Sequence, residues 1–102
     1  MKSVKLKNSL QKQIVDLITN YKQVDKIVIF GSRCGSSYKK TSDIDLAIYG
    51  KDWTSTDINI VHDKLEENIH TILKFDLLLF NNLQKESLKK EIEKGVIIYD
   101  RA

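Results

Sequence analysis

Four short apolar runs dictate what this chain can fold into: KIVIF at 26–30, DIDLAIY at 43–49, KFDLLLF at 74–80 and VIIY at 96–99. All are of strand length, and all are far shorter than the about 20 residues a membrane-spanning helix needs. Helical periodicity fills the spaces between them. Leu10, Ile14, Leu17, Ile18 and Tyr21 recur at spacings of three and four, which predicts an amphipathic helix near residues 7 to 21. Ile58, Val61, Leu65, Ile69 and Ile72 do the same behind Thr54 and Asp57, a pair spaced as a capping box. Leu83, Leu88 and Ile92 mark a third helix, with Asn81 or Asn82 expected as its N-cap and Gly95 at its C-terminal end. The order αβ(loop)βαβαβ predicts an α/β protein, a single mixed sheet of about four strands with helices packed on it.

Composition narrows the class further. The chain has 102 residues, expected to form one domain over 1–102, with a core large enough to bury about two-thirds of the unfolded surface. Hydrophobic residues make up 41%, charged residues 30%, and Pro is absent, which excludes disordered and collagen-like classes. Cys34 is the single cysteine, so no internal disulfide can form, and the basic N-terminal stretch lacks the apolar core of a secretory signal. The expected location is the cytoplasm. A net charge of +3 is too mild to predict direct nucleic-acid binding, and the lysines read as a solvated face.

Acids inside strands are the exception to this ordinary pattern. Asp43 and Asp45 open the second strand and Asp76 interrupts the third, although Asp is disfavoured in strands and an unpaired buried carboxylate is costly. Residues i and i+2 on a strand share a face, so Asp43 and Asp45 point the same way. Should the third strand adjoin the second, three carboxylates converge, an arrangement that a hard divalent cation neutralises. The alternative assigns Asp43 to a turn, Asp45 to solvent and Asp76 to a lysine partner. Upstream, Gly31 and Ser32 follow directly on a buried strand, where backbone N–H groups and the Ser32 hydroxyl can hold phosphate oxygens and Arg33 can add a bidentate donor.

Other readings fit less well. Aligning Lys40-Thr41 with a phosphate-binding P-loop puts Cys34 and Lys39 where glycines are required. A phosphohydrolase of the DxDx[TV] kind needs Thr or Val where Ala47 stands. Cys34, His62 and His70 lack zinc-ligand spacing; both histidines read as helix-surface residues, and no base accompanies Cys34. Trp53 reads as packing.

The segment FGSRCGSSYKKTSDIDLAIYG resembles the signature of the minimal nucleotidyltransferases, small members of the DNA polymerase β-type superfamily. Gly31, Ser32, Asp43, Asp45 and Asp76 match residue by residue, and KGVIIYD is similar to the family's last strand. The chain departs from the family at Cys34, Gly35 and Ser36, in the loop that grips phosphate. The resemblance implies the polymerase β-like fold, with Asp43, Asp45 and Asp76 as catalytic and metal residues for two Mg²⁺ ions. It implies that Gly31, Ser32 and Arg33 bind the triphosphate of an NTP, with ATP as substrate. It also implies an antitoxin role: AMP transfer to a hydroxyl, expected to be a tyrosine's, of a helical HEPN toxin, in a hetero-oligomer with that partner. Occlusion of the partner without catalysis, or transfer to a small molecule or nucleic acid, are the alternatives it leaves.

Overall fold

Helix α1 (Asn8–Tyr21) begins without a side-chain cap and is held by the face it buries, Ile14 and Ile18. The structure is a computed structural model that describes residues 6–31, 43–71 and 73–101. Strand β1 (Lys26–Phe30) follows, then β2 (Ile44–Tyr49), α2 (Ser55–Asn68) and β3 (Phe75–Leu79). A short 3₁₀ turn (Phe80–Asn82) leads to α3 (Glu86–Glu93) and β4 (Val96–Asp100). The expected mixed α/β architecture is present. The four strands form one sheet in the order β3-β2-β1-β4, with β1 antiparallel to both β2 and β4, and β2 parallel to β3 through the α2 crossover. No helix among the described residues is long and apolar enough to cross a membrane.

Strand alternation divides the core in two. Ile27, Ile29, Ile44, Leu46 and Ile48 face α1 and α2, whereas Val28, Phe30 and Ala47 face α3 and meet Ile92. α3 has one fully enclosed anchor, Ile92. The other principal join is polar. Asp57 accepts hydrogen bonds from Tyr21 Oη at 2.6 Å, from Lys22 Nζ at 2.9 Å and from the Thr54 backbone N–H at 2.9 Å. The expected capping box is thus formed, and it also ties α2 to the end of α1. Trp53 closes the same corner, edge-on to Tyr21 with its indole N–H donating to the Gln23 carbonyl at 2.7 Å.

Element ends depart from the sequence reading in several places: Asp43 and Lys74, expected in strands, lie just ahead of β2 and β3, and three other ends move further. The periodicity predicts α2 as far as Ile72, but the helix stops at Asn68 and Ile69 is extended; Ile69 keeps the apolar rhythm because it is buried from the cap position. Ile72 lies outside the described residues. Asn81 and Asn82 do not cap α3: Asn81 Oδ1 accepts from the Gly50 backbone N–H at 3.1 Å, and α3 starts at Glu86 without a side-chain cap. Phe80 leaves the strand and stacks on Tyr49, ring centroids 4.2 Å apart. Gly95 does follow α3, yet its requirement is proximity, since a Cβ there would lie 2.5 Å from the Ile29 carbonyl oxygen.

Candidate active site

Antiparallel β1 beside parallel β2 and β3 brings three ends to one rim of the sheet: the C-terminal end of β1 and the N-terminal ends of β2 and β3. Every acid singled out in the sequence sits at that rim. Asp45 is in direct register with Phe30 on β1 and with Asp76 on β3. Adjacent strands are about 4.8 Å apart, so the Asp45 and Asp76 side chains stand abreast on the α3 side of the sheet. Asp43 lies just ahead of β2, exposed and two residues before Asp45. Asp76 is exposed, whereas Asp45 is half-buried on the face it shares with Phe30 and Ala47.

This setting holds the Asp45 carboxyl in tension. Burial, followed by the negative charges of Asp76, Asp43 and Glu91, pushes its pKa up to about 6. A cation at the rim would relieve each of these contributions. Gly31 provides the space. It has φ +80°, which favours glycine, and a Cβ built on it would lie 2.5 Å from Asp45 Oδ2 and force the carboxylate to move.

Among the described residues, no three His, Cys, Asp or Glu side chains form a ready-made metal cluster. Asp45 and Asp76 adjoin through register, and Asp43 stands at the strand mouth. Such an open arrangement of hard oxygen donors suits Mg²⁺, which is held by one or two carboxylates plus substrate phosphates more often than by an all-protein cage. Ser32 and Arg33, expected at the triphosphate, lie outside the described residues, as does the Cys34-Gly35-Ser36 departure.

Three features escaped the sequence reading. Glu91 reaches the field of Asp45 from α3; its place beside Ile92 and three residues after Leu88, at the margin of the apolar face, was the available signal. The Tyr21–Asp57–Lys22 join could not be seen from the capping box alone, because its partners are distant in sequence. His62, expected at the surface, is turned onto the Phe75 carbonyl at 2.8 Å.

The fold has known counterparts. Two crystal structures of the MntA–HepT toxin–antitoxin, one of them a mutant, superpose with TM-scores of 0.70 and 0.72 at 18% identity. They cover 92% and 88% of this chain and 73% and 72% of theirs. A Sulfolobus solfataricus protein described as a nucleotidyltransferase gives a TM-score of 0.59 at 24% identity, over 91% of this chain and 79% of that one. Comparison with curated protein sequences finds no match. Residues 12–102 match the model of the polymerase beta nucleotidyltransferases, and with the acids and Gly31 at one rim of a mixed sheet, the chain belongs to that family.

Proposed function

We propose that this protein is a Mg²⁺-dependent nucleotidyltransferase that moves AMP from ATP to a hydroxyl of a partner protein, a helical HEPN toxin that it thereby neutralises. Family membership supports the reaction class, and the likeness of fold to the MntA of a toxin–antitoxin pair supports the kind of partner. One observation carries the reading: Asp45 lies in register with Asp76, while Gly31 leaves room against the Asp45 carboxylate.

In this reading Asp43 and Asp45 would hold the two Mg²⁺ ions, with Asp76 completing the site. The ions would supply charge neutralisation at the α-phosphate and at the departing pyrophosphate. The protein's own residues do the remaining work. Gly31, with Ser32 and Arg33, binds and orients the triphosphate so that its α-phosphorus faces the acceptor. Asp76, solvent-accessible at the sheet edge, takes the proton of the attacking hydroxyl. The acceptor oxygen bonds to the α-phosphorus, the bridging P–O bond breaks, and pyrophosphate leaves with the electron pair. Asp45, with its pKa raised to about 6, is ionised at neutral pH at a cost that a bound cation would offset, and below about pH 6 uptake of the cation would be coupled to proton release.

The test is incubation of the chain with Mg²⁺, α-labelled ATP and the helical partner. Label on the partner is expected with wild type and is lost with the Asp43→Asn, Asp45→Asn double substitution. Neutralisation that survives the double substitution with the complex intact would show that the partner is held by occlusion.

A further inference from the structure

We propose that His62 is a positioning residue for Asp76, acting through the peptide that joins Phe75 to it; the assignment rests on the nucleotidyl-transfer reading above. His62 projects from α2 and makes a 2.8 Å hydrogen bond from Nε2 to the Phe75 carbonyl oxygen. A carbonyl only accepts, so Nε2 carries the proton. Its other ring nitrogen, Nδ1, faces the exposed Asp63 carboxylate at 3.7 Å.

The location of that carbonyl gives the contact its consequence. β3 is an outer strand, paired on one side only with β2. Ile44 N donates to the Lys74 carbonyl at 2.8 Å, so in this parallel ladder the alternate peptide groups turn toward β2 and the Phe75 carbonyl turns to the open edge. His62 fills the place of the missing neighbour strand. The peptide is planar, so anchoring the Phe75 carbonyl also fixes the direction of the Asp76 N–H and the setting of its Cα. Among the described residues the Asp76 carboxylate is engaged by no hydrogen bond or ion pair, and its nearest charged neighbour in register, Asp45, repels it. The backbone that carries Asp76 is held from β2 on one side and from His62 on the other.

Buried packing does not account for the histidine. Its side chain is 37% exposed, outside the buried core to which Val61, Leu65 and Phe75 belong. A residue kept there for packing alone could be any apolar side chain.

The experiment compares His62→Leu, which keeps bulk but removes the donor, with His62→Gln, whose amide can restore it. Mn²⁺ binding to the full chain is measured by calorimetry, alongside thermal unfolding in EDTA. Groups that hold metal ligands from behind change affinity by about 10- to 100-fold, and a contact one peptide removed belongs at the low end. The expected result is about tenfold weaker Mn²⁺ binding for His62→Leu, with His62→Gln close to wild type. His62→Leu that binds Mn²⁺ as wild type does, whatever its unfolding temperature, overturns the assignment. Equal loss in both variants overturns it too, since the donor would then be irrelevant. Wild type that takes up no Mn²⁺, either alone or with a non-hydrolysable ATP analogue present, overturns the nucleotidyl-transfer reading itself, and the His62 assignment with it.

Discussion

Gly31→Ala is the most informative single change, because it strikes backbone and carboxylate at once. At φ +80° an L-residue with a side chain pays about 1–2 kcal/mol against the right-handed or extended regions. The new methyl would sit 2.5 Å from Asp45 Oδ2 and 3.4 Å from Cγ. That oxygen ends a side chain with two torsions, so the carboxylate rotates and the strand stays. Rotation off its rotamer costs about 0.5–1.5 kcal/mol, and its destinations are the apolar Phe30–Ala47 surface or the neighbouring Asp76. Stiffening of the unfolded chain returns about 0.4–1 kcal/mol. The net is a destabilisation of about 0.5–3 kcal/mol, and at about 4–8 °C per kcal/mol for a domain near this size the midpoint falls by about 2–24 °C. Urea and thermal unfolding in EDTA measure it. A double-mutant cycle with Asp45→Ala then separates the two parts, because removing the carboxylate deletes the collision and leaves the φ cost. About 0.5–1 kcal/mol of coupling is expected. Strict additivity, or a Gly31→Ala protein as stable as wild type with Mn²⁺ affinity intact, would refute the argument that glycine is required here by Asp45.

Other expectations follow from the same rim and from the joins that support it. The Asp45 pKa rises on folding from the usual 3.9 to about 6, so the stability it contributes is complete below about pH 4 and lost as pH climbs through 6. Allowing for partial exposure, Asp45→Asn should stabilise the metal-free protein at pH 7.5 by about 1–2 kcal/mol and change little at pH 3.5; destabilisation at pH 7.5 would contradict this. Asp57 has the opposite sign. Hydrogen bonds from Tyr21, Lys22 and Thr54 hold its carboxyl well below the usual range, so its contribution is present above about pH 4 and fades on acidification, and Asp57→Asn should flatten the acid limb of the stability profile. Thr54→Ala, which removes the cap alone, should cost about 1 kcal/mol by urea titration, and Asp57→Ala more than that. Ile92→Ala should cost about 2–5 kcal/mol and raise amide exchange throughout α3, since no other α3 residue is fully enclosed; protection equal to wild type would show that α3 is held elsewhere.

What could be read from the sequence was whatever depended on neighbours a few residues away. Strand alternation at Ile44, Leu46 and Ile48 assigns the buried face of β2, and the Thr54–Asp57 spacing by itself marks the start of α2. Where a longer-range partner intervenes, the local signal misleads. Asn81 has the chemistry of an N-cap, but its carbonyl oxygen is taken by Gly50, 31 positions away, and the helix start moves to Glu86. Phe80 has the chemistry of a strand residue, but stacking on Tyr49 draws it into a 3₁₀ turn.

The same distinction separates the two halves of the site. Expecting Asp43 and Asp45 on one face required only the two-residue period of a strand, although Asp43 stands just ahead of β2. Bringing Asp76 beside Asp45 required that β3 add to β2 in parallel, with Asp45 opposite Asp76 and not opposite Phe75 or Leu77. A slip of one residue would turn Asp76 into the layer beneath α2, where an unpaired carboxylate is costly, and would expose Phe75 and Leu77 in its place. The apolar faces of β3 therefore fix the register that places the acid. Phe75, Leu77 and Leu79 are buried in the layer beneath α2, and their alternation leaves Asp76 no face but the one it shares with Asp45. An acid in an apolar strand is thus an anomaly in composition and a consequence in geometry: the packing that excludes Asp76 from the core directs it to the rim.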